Sequence, residues 1–341
     1  MKLLCEHMVT DESGMLLMRS KLRAVSRRMG YSSVKMEHME LVYSELVTNQ
    51  IKFAQGSGVL QLWETKAPHT ALDLFALDYG PGIKNLQNAS DDGFTTAGTM
   101  GKGLGTIKRL CCDHAIYSLS SNGTADNRWH GVAVWVRFHL GKTNGQSPIQ
   151  YGYYLRPYQD AIHNGDHIYV DSADGCVRWL HLDGLGHGKN AADAVKGLGD
   201  LVQLDEPIER RLKILNARLN NGRGAVAILA DVDSKAQNVK VSGVGDMACY
   251  VISNGARHNI AVAPGVLGHA HRTAEVTSES FPPKALVLTA SDGIRRSWNL
   301  EMFPGLWRLH PQFIAFLLGY TLGRNSDDKS LMVLRTTTQQ Q

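Results

Sequence analysis

Two groups of residues in this chain have the types and spacing to act on phosphate, by opposite chemistries. The first runs Glu45-Leu46-Val47-Thr48-Asn49, then Asp78-Tyr79-Gly80-Pro81-Gly82, then Gly101-Lys102-Gly103-Leu104-Gly105. A nucleotide pocket needs a carboxylate for an exocyclic amine, glycines that let backbone approach a triphosphate, and an oxygen ligand for Mg²⁺. Asp78, at a strand end, meets the first need, and Gly80 and Gly82 supply a turn that glycine adopts most easily. Gly101, Gly103 and Gly105 are expected to precede a helix beginning near Leu104, so that free amides and the positive helix end face phosphate oxygens. The second group is acidic: Asn164-Gly165-Asp166, Asp183-Gly184, Asp292-Gly293 and Asp327-Asp328. Carboxylates at the ends of several strands suit hard divalent ions, and paired ions lower the pKa of water enough for it to attack a phosphoester.

The elements that must position these residues follow from periodicity. An apolar opening strand leads to helices over about 14–29 and 33–54, the second carrying Met39, Val42, Tyr43, Leu46, Val47 and Ile51 as one stripe with Glu45 and Asn49 beside it. Strand patterns follow at 59–64, 71–77, 115–119 and 132–140, giving a sheet with helices on one face. Residues 141–150 are polar and rich in turn formers, which places a linker between domains 1–140 and 151–336, with a frayed tail at 337–341. Beyond the linker, Ile168-Tyr169-Val170, a turn at 173–175 and a strand over 177–182 read as a hairpin. Helices over 191–202 and 207–219 come next. Strands at 225–230, 239–242, 248–253, 286–289 and 331–334 then predict stacked antiparallel sheets between helical layers.

The 341 residues suffice for two cores, and 43% hydrophobic with 20% charged residues is the balance of a soluble globular chain. The apolar stretch over 313–322 is too short to span a bilayer, so no membrane association is expected. Met1-Lys2-Leu3-Leu4-Cys5 reads as a strand, because Glu6 and His7 interrupt it before a leader can form. Five irregularly spaced cysteines do not make a disulfide framework, which points to a reducing cytoplasm. The +4 charge is spread out, and the basic residues of 19–28 alternate with apolar ones at helical spacing, so no nucleic-acid partner is expected.

In order and spacing, the first group resembles the N, G1 and G2 boxes of the GHKL ATPase superfamily over residues 1–140. Asp92-Gly93-Phe94-Thr95-Thr96-Ala97-Gly98 and Gly105-Thr106-Ile107-Lys108-Arg109-Leu110 narrow it to the anti-sigma-factor serine kinases of the RsbT type. This resemblance implies a Bergerat-type α/β sandwich binding ATP and Mg²⁺. Asn49 would hold the metal, Glu45 would be the catalytic base toward an acceptor hydroxyl, and Asp78 would bind adenine. Gly80, Gly82 and the run Gly101, Lys102, Gly103, Leu104 and Gly105 would surround the nucleotide. A sensor histidine kinase shares that fold, but only about thirty residues precede the helix bearing Glu45, which leaves no room for a phosphoacceptor hairpin.

The acidic motifs, with Arg223-Gly224-Ala225 and Gly243-Val244-Gly245-Asp246, resemble the SpoIIE branch of the metal-dependent protein phosphatase 2C family over 151–336. That implies an α+β domain of αββα type with two Mn²⁺ or Mg²⁺ ions. Asp183 would bridge both ions and serve catalysis, Asp166 and the Gly184 carbonyl would hold one, and Asp292 and Asp327 the other. The last motif reads Asp-Asp-Lys-Ser where Asp-Asp-x-Thr is commoner, and His167 stands where serine is frequent. The loop residue His187 is expected to contact substrate or shape the loop. Together the resemblances imply a bifunctional cytoplasmic regulator of a bacterial partner-switching pathway. It would phosphorylate and dephosphorylate Ser or Thr of a STAS-domain protein, with a sigma factor or other effector downstream; monomer or homodimer stays open. Two alternatives are an ATPase-like domain that only senses ATP or binds a sigma factor, and a metal-free second domain.

Overall fold

The structure, a computed structural model, describes residues 1–10, 12–83, 86, 100–120, 129–141, 148–173 and 175–337. Asp92–Gly98, most of the expected linker and nearly all of the expected tail lie outside them. The chain divides into two compact units, Met1–Asn144 and Gly145–Gln341.

The first unit comprises β1 (Lys2–Met8), α1 (Glu12–Met29), α2 (Ser33–Ala54), β2 (Gly58–Thr65), β3 (Ala71–Asp78), α3 (Met100–Leu110), β4 (Asp113–Leu119) and β5 (Gly131–His139). Its strands form one sheet in the order β1-β2-β3-β5-β4, antiparallel throughout. Period-two alternation sends Leu60 and Leu62, Leu72 and Leu74, and Val134, Val136 and Phe138 to one face. There they pack on Met18 and Leu22 of α1 and Met39, Val42 and Leu46 of α2. Each such side chain contributes about 1.5–3 kcal/mol by leaving water. Helix α2 starts where the Ser32 side chain accepts the Lys35 N–H at 3.3 Å, and stops where Gln55 turns left-handed at φ 52°. Ile51 does not belong to the stripe: it is 46% exposed, whereas Gln50 is buried. The Gln50 amide donates to the carbonyls of Val59 and Leu77 at 3.1 Å each, tying the helix to two strands in place of an apolar contact.

The second unit comprises β6 (Ile149–Arg156), β7 (Asp166–Ala173), β8 (Cys176–Gly184), α4 (Lys189–Val195), α5 (Ile208–Leu219), β9 (Ala225–Asp233), β10 (Asn238–Val244), β11 (Ala248–Ser253), β12 (Ala256–Ile260), β13 (Thr277–Ser280), β14 (Leu286–Ala290), α6 (Pro311–Thr321) and β15 (Lys329–Thr336). Ile149 and Gln150, counted in the linker by composition, already belong to β6. Two five-stranded antiparallel sheets result, β13-β10-β9-β8-β7 and β12-β11-β14-β15-β6. On β8, Leu180 and Leu182 pack toward Leu212 and Leu215 of α5. The alternate residue Trp179 reaches the other sheet, where its Nε1–H donates to Thr289 Oγ1 at 3.2 Å. Helix α6 covers β6 and β15, so the unit is layered helix, sheet, sheet, helix. The helix expected over 191–202 is broken: α4 ends before an extended Lys196, Gly197 takes φ +77°, and a 3-10 turn resumes at Gly199–Val202.

Candidate functional site

In the first unit, Asn49, Asp78, Gly80, Gly82 and Leu104 come together around one cavity of about 170 Å³. Its other walls include Leu46, Phe53, Ala76, Ile83 and Val134. The wall is apolar apart from a few polar groups, as a flat heteroaromatic ring requires. Asp78 ends β3 and is 7% exposed. Its Oδ1 accepts the N–H of Gly80 at 2.8 Å and of Val132 at 3.0 Å, and among the described residues Oδ2 receives no donor. Burial raises the Asp78 pKa, while those two N–H groups and the nearby His130 pull it back down. A carboxylate held by one oxygen at the wall of an apolar cavity keeps capacity on the other oxygen to accept a further hydrogen bond.

The turn after Asp78 is fixed by backbone need. Gly82 sits at φ +74°, and a Cβ there would lie 2.7 Å from the Leu119 carbonyl oxygen. Trp129 Nε1–H donates to the Asp78 carbonyl at 2.9 Å, and His130 Nδ1–H to the Gly80 carbonyl at 2.9 Å. No spacing signal in the sequence pointed to either residue. The third glycine motif corrects an expectation, because α3 begins at Met100 rather than near Leu104 and the glycines lie within it. Gly101 and Lys102 fall in the first turn, whose amides lack intrahelical partners, while Gly105 falls in the second, where the amide joins the helix ladder. Gly103 has a different use: a Cβ there would stand 2.6 Å from Glu45 Oε2 and 3.6 Å from Asn49 Nδ2, so glycine lets α3 lie against the half-buried Glu45 and Asn49. The Lys102 side chain lies outside the described residues.

In the second unit, the antiparallel register of β7 and β8 sets Asp166 directly opposite Asp183. Asp292 follows β14, Asp327 precedes β15, and those two strands pair with each other. The four carboxylates sense one another. Burial and the charges of Asp166, Asp292, Asp327 and Asp246 all raise the Asp183 pKa, and burial followed by Asp327 and Asp246 raises that of Asp292. Asp246, to which the sequence assigned no role, is thus a fifth carboxylate whose charge acts on Asp183 and Asp292. The Gly184 N–H donates to the Gly165 carbonyl at 3.1 Å, locking the strand end beside Asp166.

Asp166 is held by a chain of buried polar groups that crosses between the sheets. Ser330 Oγ donates its single proton to Asp166 Oδ2 at 2.6 Å, so its lone pairs must accept from His181 Nε2, 2.7 Å away. His181 then carries its proton on Nε2, and Nδ1 accepts from Thr289 Oγ1 at 2.9 Å. Burial keeps this imidazole neutral, with a pKa lowered to about 3. Ser330 therefore supplies a buried hydroxyl that joins Asp166 to His181. His167, on the other side of the strand, lies tilted against the Tyr169 ring with centroids 4.2 Å apart and takes no part in this hydrogen-bond chain. His187, exposed, lies 5.2 Å from the Tyr158 ring.

Asp328 differs from its neighbour Asp327. Buried at 3% exposure, it accepts the N–H groups of Tyr158 at 2.6 Å and Gly165 at 2.7 Å, latching the segment that leads into Asp166.

Serine/threonine-protein kinase RsbT of Bacillus subtilis (strain 168) is 31% identical to this chain over 103 residues, 30% of the chain and 77% of that kinase. The chain belongs to the RsbT family. No family model matches it. Among solved structures, RsbX in complex with magnesium is 18% identical, covering 57% of this chain and 98% of that one, with a TM-score of 0.49. The SpoIIE phosphatase domain of Bacillus subtilis, with a fragment of its regulatory domain, is 17% identical over 95% of each chain, TM-score 0.49. The RsbU and RsbW domains of Rv1364c from Mycobacterium tuberculosis are 16% identical, covering 55% of this chain and 60% of that one, TM-score 0.47.

Whether divalent ions fit this RsbT-family chain follows from its own donors. Among the described residues, no three His, Cys, Asp or Glu side chains close into a ready-made cation cage. What stands there is an open carboxylate cluster whose members raise one another's pKa. Mg²⁺ is held in this way, by one or two carboxylates while it keeps most of its waters, so the residues present fit the ions.

Proposed function

We propose that the chain both adds phosphate to and removes it from the Ser or Thr of a partner protein. The first unit would be a Bergerat-type ATPase domain that transfers phosphate from Mg-ATP. Asp78 would bind the adenine amine through Oδ2, Asn49 would hold Mg²⁺, and the first-turn amides of α3 would face the phosphates. Glu45, kept against the start of α3 by the space at Gly103, would take the proton from the acceptor hydroxyl. RsbT-family membership and the carboxylate-ended apolar cavity support this half. Phosphoryl transfer needs chiefly positioning and charge neutralisation, which so short a set of residues can supply.

The second unit would be a metal-dependent phosphatase. The observation that carries this half is the convergence on Asp183 of the charges of Asp166, Asp292, Asp327 and Asp246. Divalent ions, Mn²⁺ or Mg²⁺, would supply acidity to water and neutralise the phosphoryl oxygens. Asp183 would be shared between the two ions, with Asp166 and the Gly184 carbonyl on one side and Asp292 and Asp327 on the other. In hydrolysis the phosphorus–oxygen bond to the side chain breaks, water oxygen bonds to phosphorus, and the hydroxyl leaves with a proton.

The partner in this reading is a STAS-domain protein of a partner-switching pathway, and two opposed activities on one chain act on it at high local concentration. Manganese-dependent cleavage of p-nitrophenyl phosphate, abolished by Asp183→Asn, is the expected result for the second unit; manganese-independent cleavage, or none, overturns that half. Label transfer from γ-labelled ATP to a candidate STAS protein, lost in Glu45→Ala, tests the first. Partner binding without transfer in both proteins would leave the first unit as a sensing module.

A further inference from the structure

Beside the carboxylate cluster, an open groove of about 840 Å³ is lined by Arg295, Arg296, Ser297, Arg324, Asn325 and Ser326. All six are exposed. Two loops build it, one following Asp292 and the other preceding Asp327, so its walls are continuous with the two outer carboxylates of the proposed metal centre. The loops are pinned together: the Arg324 N–H donates to the Gly293 carbonyl at 2.8 Å and the Arg295 N–H to the Leu322 carbonyl at 2.9 Å. The Arg324 and Arg296 guanidinium groups lie close enough to Asp292 to favour its charged form. Among the described residues, none of the three arginines makes a side-chain hydrogen bond or ion pair.

Three exposed guanidinium groups line one groove, giving its wall a positive potential that attracts an acidic ligand beyond what the neighbouring Asp292 neutralises. The guanidinium fork matches carboxylate geometry with two parallel hydrogen bonds, which a lysine cannot do. Ser297, Asn325 and Ser326 add neutral donors and acceptors suited to a peptide backbone. We infer that this groove docks an acidic stretch of the protein substrate flanking the phosphorylated residue, so that the phosphate itself is delivered to the carboxylate cluster. This rests on the phosphatase reading of the second unit.

The test compares manganese-dependent hydrolysis of two phosphoserine peptides, one flanked by Asp and Glu and one by Ser and Gly. The intact chain is expected to prefer the acidic peptide by about tenfold in kcat/KM, as one or two charge-assisted bonds supply. In Arg296→Ala, Arg324→Ala that preference falls to about one. Charge reversal, Arg296→Glu, Arg324→Glu, turns it toward a Lys-flanked peptide, a result no misfolded variant gives. Equal rates on both peptides in the intact chain, or an unchanged preference in the variants, overturns the inference, as does an equal loss on both peptides, which makes the arginines a support of Asp292. Failure of the intact chain to cleave p-nitrophenyl phosphate with manganese sinks the phosphatase reading itself, and the two failures are thereby told apart.

Discussion

Asp328 offers the sharpest perturbation, because two adjacent aspartates have been given different work. Its two oxygens take the N–H groups of Tyr158 and Gly165, and the residue is buried. Each is a hydrogen bond to a charged acceptor, worth about 1.5–3 kcal/mol. In Asp328→Asn one oxygen remains, while the new amide nitrogen faces an N–H donor with a donor of its own. One charge-assisted bond is lost outright, so the segment from Tyr158 to Gly165 should loosen by about 2–3 kcal/mol. At about 1.4 kcal/mol per tenfold, that is exchange of the Tyr158 and Gly165 amide hydrogens faster by about 30- to 150-fold. Hydrogen exchange read by mass spectrometry on the full chain measures it directly. Because the segment delivers Asp166, the manganese concentration needed for half-maximal phosphoesterase activity should rise as well. Unchanged exchange at both amides would refute the latch and with it the distinction between Asp327 and Asp328.

Gly103→Ala should leave thermal stability unchanged or raised by up to about 1 kcal/mol, since alanine favours helix, yet cut phosphate transfer by about tenfold or more by pushing the Glu45 carboxylate aside; a melting curve and a transfer assay check both. Ser330→Ala removes the donor to Asp166 and the acceptor for His181, and should cost about 1–3 kcal/mol in urea unfolding followed by tryptophan fluorescence, with Ser330→Thr costing much less because it keeps the hydroxyl. Glu40 accepts from Arg23 and Arg19 between α1 and α2, and its pKa is lowered first by the Arg23 hydrogen bond. A depressed carboxylate contributes stability that is present above its unfolded pKa and lost as pH falls through the folded one. The melting-temperature gap between the intact chain and Glu40→Gln should therefore hold at pH 7 and close as pH drops through and below the ordinary glutamate range.

Much of this was legible in the residues, and the exceptions share physical causes. Helix α2, β2, β3 and β5 announced themselves because each sets a row of apolar residues on one core, and in β2 and β3 the alternate residues are buried as well, which makes the runs apolar almost throughout. The strands that went unread, β12 and β13, lie at sheet edges, where no apolar alternation is required: Arg257, His258 and Asn259 of β12 and Thr277, Ser278, Glu279 and Ser280 of β13 are mostly solvent-facing. Strand β6 begins inside a run of turn formers, so composition argued against it. Helix α3 hid behind its own glycines, since propensity disfavours glycine in helices while close packing on Glu45 demands it. The acidic motifs identified four carboxylates but not the groups that aim them. His181, Ser330 and Asp328 become recognisable only when register and sheet pairing bring residues more than a hundred positions apart into hydrogen-bond range.

The claim that one chain carries two opposed phosphate chemistries is tested most directly by following label from γ-labelled ATP on a candidate STAS-domain protein with manganese and magnesium present. With the intact chain, label on the partner should rise and then decay once ATP is exhausted. Asp183→Asn should give a rise without decay, and Glu45→Ala no rise at all. Label that never appears with any of the three proteins, or that decays equally fast with Asp183→Asn, would contradict the account.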